Sequence, residues 1–133
     1  MKKFIDYWLP PILWMVLIYS LSNRQKISFS DTQAINFLIF KSFHIIEYFI
    51  LFMLNFRAIS SIKSKIWIKQ ILIITLFFTL FFAISDELHQ TFVPTREGTI
   101  RDVVIDSIGI TIAFMYTKYN RVKLIKFFHE TRY

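Results

Sequence analysis

An uncharged apolar run, Ile71 to Ile84, lies in the middle of the 133-residue chain and limits the folds that are open to it. A helix of this length spans about 21 Å, and the hydrocarbon core of a bilayer is about 30 Å thick. The run can therefore cross a membrane only within a longer helix, which we predict over about 66–90. The composition agrees, because 55% hydrophobic residues and a mean hydropathy of +0.48 are typical of a membrane protein.

Three more apolar segments predict an all-α integral membrane bundle of four transmembrane helices. One domain over residues 1–133 is expected, with helices over about 7–21, 35–56, 66–90 and 99–119. Pro10 and Pro11 are expected in the first turn of the first helix, where amide protons lack partners anyway. Thr99 and Asp102 fit the N-cap and N3 positions of a capping box that opens the fourth helix. A separate short interfacial helix is expected over Val122–Phe128.

Charges divide unequally between the two ends of this bundle. The end with the termini receives 11 of 16 basic residues, so the positive-inside rule places both termini in the cytoplasm. These are Lys2, Lys3, Arg57, Lys63, Lys65, Lys69, Lys118, Arg121, Lys123, Lys126 and Arg132. The outer end receives seven of nine acids, Asp31, Glu47, Asp86, Glu87, Glu97, Asp102 and Asp106. The net charge of +7 does not indicate a nucleic-acid partner, because the basic residues do not form one stripe.

A polar block from Ile84 to Gly109 separates two apolar segments and holds five of the nine carboxylates. Buried polar groups of this kind cost free energy unless they pair or reach water, so the block is a candidate functional site. In the second helix, the spacing of Lys41, His44 and Tyr48 predicts one polar face that points into the bundle.

The candidate site residues come from this block and this face. Candidate proton-handling or structural acids are Glu47, Asp86 and Asp102, and candidate substrate-binding residues are Lys41, His44, Tyr48, Gln90, Arg96 and Asp106. A hydrogen bond between His44 and Glu47 that only stabilises the bundle is an equal alternative. One of Asp86 and Glu87 is expected at a solvated helix end, with Glu87 pointing away. Arg96 can equally form a structural salt bridge.

Several chemistries find no support in the sequence. The absence of cysteine excludes disulfides and thiolate chemistry, and no phosphate-binding loop or nucleophile elbow is present. His44, Glu47, Asp86 and Asp102 have the atoms to bind a metal, but no ligand spacing supports such a site. No metal and no cofactor are therefore predicted.

The polar block also matches a known pattern. Its matching residues are Asp86, Glu87, Gln90, Phe92, Pro94 and Arg96, followed by Asp102, Asp106 and Gly109. This pattern resembles the hallmark of the VanZ-like membrane proteins, the family named for an accessory teicoplanin-resistance protein. Lys41, His44 and Tyr48 match the lysine, histidine and tyrosine of the family's second helix, and Tyr19–Ser22 matches a serine-rich turn. The resemblance covers nearly the whole chain.

Two positions depart from the family pattern. Thr95 stands where a glycine is common, which puts the shape of the turn in question. Asp106 stands where asparagine is common, which adds a negative charge to a buried face. We expect Asp106 to be protonated or to pair with Lys41 or Arg101.

The resemblance implies a multi-pass protein of the bacterial plasma membrane with a link to teicoplanin susceptibility, but it supplies no mechanism. The first hypothesis is an outward-facing polar pocket that binds or acts on an envelope component, such as a lipid-linked precursor or a lipoglycopeptide. The second is a non-enzymatic scaffold or partner protein. The third is a proton-coupled or ion-coupled transporter, which four short helices could form only as a homo-oligomer. Whether the protein is an enzyme stays open.

Overall fold

The computed structural model describes residues 2–23, 32–62, 67–94, 96 and 98–130, and every regular element in them is an α-helix. The helices are α1 (Lys2–Ser22), α2 (Gln33–Ser60), α3 (Ile68–Gln90) and α4 (Ile100–Glu130). The predicted all-α class and the order of four helices are confirmed. Some residues of the charge pattern described above lie outside the described residues, namely Asp31, Lys63, Lys65, Glu97 and Arg132, as does Thr95.

The first helix begins five residues earlier than predicted, so Pro10 and Pro11 lie in its interior. Their placement in the first turn was wrong. An interior proline removes one helical hydrogen bond, and Pro10 leaves the carbonyl of Asp6 without its usual donor. Arg57 of α2 donates from Nη1 to this carbonyl at 3.4 Å. The neighbouring helix thus replaces a donor that the proline removes.

The fourth helix continues to Glu130 without interruption, so the separate helix expected over Val122–Phe128 was also wrong. The chain has no glycine or proline after Gly109, and therefore no strong signal that ends a helix. Asn120, a weak helix former, donates from its side chain to the carbonyl of Tyr116 at 3.0 Å.

The second helix lies at the centre of the bundle and contacts each of the other three. Its apolar side chains Tyr48, Leu51, Phe52 and Phe56 are fully buried, together with Ile110 and Ala113 of α4. Gly109 allows a close approach of α4 to α2, because a Cβ atom there would overlap the carbonyl oxygen of Ile45. The lack of a side chain at Gly109 therefore lets the α2 backbone pack directly against α4.

Three helical segments are long and apolar enough to cross a membrane, Phe4–Ser22, Gln33–Ser60 and Ile68–Gln90. Large apolar side chains cover the outside of α3, where Phe77 and Phe81 are exposed. A hydrocarbon environment would bury such a surface. A fourth crossing by α4 and the cytoplasmic position of both termini stay predictions.

Candidate functional site

Side chains from all four helices meet at one end of the bundle. The end of α1, the first half of α2, the end of α3 and the start of α4 lie together there. We call this group the polar cluster, and its members are Ser22, Lys41, His44, Tyr48, Asp86, Glu87, Gln90, Asp102 and Asp106. Seven of the nine predicted site residues belong to the polar cluster. Its other two members are Ser22, to which the sequence assigned no role, and Glu87, which was expected to point away from the site.

Asp86 joins three helices. Its Oδ2 accepts hydrogen bonds from the Ser22 hydroxyl at 2.8 Å and from Gln90 Nε2 at 3.0 Å. The Tyr48 hydroxyl lies 3.5 Å from the same oxygen. Asp86 is 3% exposed, and its Oδ1 has no hydrogen-bond partner among the described residues. The bond to Gln90 joins two side chains that are four residues apart and therefore lie on the same face of α3.

Asp106 joins α4 to α2 through His44. The two side chains meet at 2.9 Å between Asp106 Oδ1 and His44 Nδ1. Neither Lys41 nor Arg101, the partners expected from the sequence, pairs with Asp106 in the described part of the chain. The side chain is fully buried, and Oδ2 has no partner within the described residues.

Lys41 pairs with Asp102 instead. Its Nζ lies 2.6 Å from Asp102 Oδ1 in a contact with the geometry of an ion pair rather than of an aligned hydrogen bond. Both side chains are largely buried. Arg101 approaches the same oxygen at 3.7 Å from a mostly exposed position. The ion pair fixes the start of α4 against α2.

Glu87 lies inside the cluster, so its expected direction away from the site was wrong. It is 3% exposed, and its Oε2 accepts the backbone N–H of Thr99 at 3.1 Å. The Thr99 hydroxyl accepts the Asp102 N–H at 3.2 Å, which confirms Thr99 as the N-cap of α4. In a capping box the acid at N3 would bind the Thr99 N–H. Glu87 takes that role, and Asp102 binds Lys41.

The loop before α4 lies against the end of α3 because Gly98 has no side chain. A Cβ atom at this position would overlap the carbonyl oxygen of Glu87. This close approach brings the Thr99 N–H to the Glu87 carboxylate. The close contact at Gly98 and the Glu87–Thr99 hydrogen bond were not predicted from the sequence. A glycine directly before the N-cap could have indicated them, because glycine allows two backbones to approach closely.

Two predicted site residues lie beside the cluster. Arg96 is half-buried and donates from Nη2 to the carbonyl of Leu21 at 3.0 Å, which satisfies one of the free carbonyls at the end of α1. Glu47 is half-buried, and its backbone carbonyl accepts the Trp14 indole N–H at 3.0 Å. Its carboxylate is close enough to interact electrostatically with His44 and Asp106. The His44–Glu47 hydrogen bond considered from the sequence is replaced by His44–Asp106.

The residues differ in how a ligand could reach them. Tyr48 and Asp106 are fully buried, and a ligand of the size of a lipid headgroup would contact them only if the bundle opened. Lys41, His44, Glu47 and Arg96 are partly exposed. We call these four partly exposed residues the rim, and the buried acids Asp86, Glu87, Asp102 and Asp106 the interior of the polar cluster.

Three potential metal ligands also come together, although no spacing in the sequence indicated them. His44, Glu87 and Asp106 each offer one donor atom, and these atoms lie within 4.8 Å of one another. Of the four residues considered from the sequence as conceivable ligands, only His44 belongs to this group.

The chain matches a known family over most of its length. The family model described as VanZ/LLP1 matches residues 4–124. The chain belongs to the VanZ/LLP1 family. The match includes every member of the polar cluster, so the VanZ/LLP1 sequence pattern and the convergence of the four helices concern the same residues. No match was found among curated proteins or among solved structures.

Proposed function

We propose that this VanZ/LLP1 protein crosses the bacterial plasma membrane four times, with both termini in the cytoplasm and the polar cluster at the outer face. The cluster then binds or acts on an envelope component at the level of the lipid headgroups. A lipid-linked cell-wall precursor or a lipoglycopeptide such as teicoplanin has the required combination of a polar head and an acyl chain. The observation that carries the proposal is the convergence of buried polar groups from four helices at one end of an apolar bundle.

The orientation is supported by the charges at the opposite end of the bundle. Arg57 lies in the last turn of α2, and Lys69 lies in the first turn of α3. The second half of α4 adds Lys118, Arg121, Lys123 and Lys126. Basic residues are retained on the cytoplasmic side of membranes, so the polar cluster would face outward.

Binding is supported by the partly exposed rim. Lys41 and Arg96 carry positive charge that can bind a phosphate or carboxylate of a headgroup. Glu47 lies on the same rim, and Asp86 and Asp102 lie behind it. In this proposal Glu47, Asp86 and Asp102 move protons or hold the rim in place. His44, Tyr48, Gln90 and Asp106 complete the binding site, where Tyr48 and Gln90 hold Asp86 and Asp106 holds His44.

The test is teicoplanin susceptibility in a sensitive Gram-positive host. It compares the wild type with Glu47→Gln, Asp86→Asn, Arg96→Gln and Asp102→Asn, each checked for membrane level and melting temperature. Arg121→Gln is the matched control for Arg96→Gln, because Arg121 is exposed and lies in the second half of α4, at the end of the bundle away from the cluster. Asp6→Asn is the control for the acids, because Asp6 lies in the first turns of α1, far from the cluster along that helix.

We expect protection by the wild type and by both controls, and its loss in the four cluster variants at unchanged protein level. A wild type that gives no protection would refute the link to teicoplanin. Full protection by all four folded variants would show that the cluster does not act on the drug or its target.

A non-enzymatic scaffold is the second candidate, and the pairing within the cluster favours it. Lys41 binds Asp102, His44 binds Asp106, and Glu87 binds the Thr99 N–H. Such pairs would stabilise the bundle without any ligand. In that case the same four variants would lower the melting temperature and the membrane level together, and protection would follow the protein level.

A further inference from the structure

The interior of the polar cluster holds more buried acid than its positive groups balance. Asp86, Glu87, Asp102 and Asp106 are all buried. Asp102 has Lys41, and Asp106 has His44, which is charged only when protonated. The hydrogen-bond donors to Asp86 and Glu87 are neutral hydroxyl, amide and backbone groups. A buried carboxylate needs a compensating charge or a proton.

Three of the buried donors are arranged as metal ligands. His44 comes from α2, Glu87 from α3 and Asp106 from α4, and one donor atom of each lies within 4.8 Å of the others. His44 Nδ1 and Asp106 Oδ1 are 2.9 Å apart. Neighbouring ligands of a tetrahedral metal with bonds of about 2.0–2.1 Å are separated by about 3.3 Å, so a metal that replaces the hydrogen-bond proton needs this pair to open only slightly. The wider contacts to Glu87 require a small closure.

A second observation points to a ligand. Asp106 is fully buried, yet its Oδ2 has no hydrogen-bond partner within the described residues. An oxygen of this kind in a native protein usually binds something, because leaving it unsatisfied costs about 1–3 kcal/mol. A cation that binds Asp106 through both carboxylate oxygens, with His44 and Glu87 as its other ligands, would satisfy this oxygen and offset the surplus of acid.

We propose that His44, Glu87 and Asp106 form a binding site for one divalent transition-metal ion, best fitted by Zn²⁺. Imidazole favours zinc and its neighbours over Mg²⁺ and Ca²⁺, which prefer oxygen ligands alone. Three protein ligands leave a coordination position open, as in catalytic rather than structural zinc sites. The proposal does not rest on the envelope role, because metal binding is measured without any drug or lipid precursor.

The experiment uses the full chain in detergent, stripped with a chelator and titrated with Zn²⁺ against a chromophoric competitor. Mg²⁺ and Ca²⁺ are titrated in parallel. We expect one Zn²⁺ per chain and no competition from the other two ions. Asp106→Asn, which keeps the side-chain shape, and His44→Gln should weaken Zn²⁺ binding at least about 10-fold. His89→Gln is the matched control, because His89 binds Asn23 at 2.8 Å, outside the triad.

Histidine resonances give a second measurement that does not depend on the folding of triad variants. The chain has only three histidines, so Zn²⁺ should shift one imidazole signal of the wild type. That signal should persist in His89→Gln and in His129→Gln, which assigns it to His44. Absence of Zn²⁺ binding by the wild type would overturn the proposal. So would binding that Asp106→Asn leaves unchanged, or a shifted signal that His89→Gln or His129→Gln removes.

Discussion

Arg57 donates a hydrogen bond to the carbonyl of Asp6 at 3.4 Å, the carbonyl that Pro10 leaves without its donor. The Arg57 guanidinium also lies over the ring of Tyr7, 4.9 Å from its centroid. Both contacts join α2 to α1 at the end of the bundle away from the polar cluster. Pro10 and Pro11 are thus accommodated inside α1 with the help of Arg57 of α2, which replaces one of the helical hydrogen bonds that the prolines remove.

Replacing Arg57 by Met should therefore destabilise the protein by about 1 kcal/mol, since a hydrogen bond and a cation–π contact are lost. Thermal unfolding in detergent measures the effect. Lys69→Met is the control, because it removes a charge from an exposed position near the same end. In a Pro10→Ala background, residue 10 can itself donate to the Asp6 carbonyl, so Arg57→Met should cost less. Equal costs in both backgrounds would contradict the proposed compensation.

Gly109→Ala should destabilise the protein, although alanine is the better helix former. At an exposed helical position the change would stabilise by up to about 1 kcal/mol. Here the added methyl group meets the backbone carbonyl of Ile45, which cannot rotate away. Overpacking of this kind costs about 1–3 kcal/mol. Thr111→Ala, at an exposed position of α4, should change the melting temperature little. A higher melting temperature for Gly109→Ala would show that α2 and α4 are not in close contact.

Helix positions were predicted well from the sequence where an apolar run defines the helix. Helix ends were predicted poorly where they depend on contacts with other helices or on a missing stop signal. The positions of α2 and α3 follow from such runs. The start of α1 depends on tolerance of Pro10, which Arg57 of another helix provides. The fourth helix continues beyond Tyr119 because no glycine or proline follows to end it. The basic residues after Tyr119 do not end a helix by themselves.

The site shows the same division. Helical spacing placed Lys41, His44 and Tyr48 on an inward face, and the structure has all three directed into the bundle. The helical spacing did not predict which acid each of them contacts, because several acids of α3 and α4 lie at a similar level of the bundle. The inward position of Glu87 could not be predicted from helical spacing, because its partner is a backbone N–H at the start of α4 and not a side chain.

The Lys41–Asp102 ion pair should contribute more to stability than the Arg101–Asp102 pair. Lys41 and Asp102 are mostly shielded from water, so removing one charge leaves the other buried and costs about 3–5 kcal/mol. Arg101 is 66% exposed and 3.7 Å away, and such pairs contribute about 0–1 kcal/mol. Lys41→Met should lower the melting temperature strongly, and Arg101→Met should barely change it. Similar effects for the two variants would refute the burial argument.

Opposite ends of α3 should lie on opposite sides of the membrane. Phe92 and Trp67 flank this helix and are both strongly exposed, and the chain has no cysteine of its own. In intact cells, Phe92→Cys should react with an impermeant thiol reagent, because the basic residues at the other end favour the cytoplasm. Trp67→Cys should react only after permeabilisation. The reverse labelling would place the polar cluster inside the cell and remove extracellular drugs from its direct ligands. Labelling of both positions in intact cells would mean that α3 does not span the membrane.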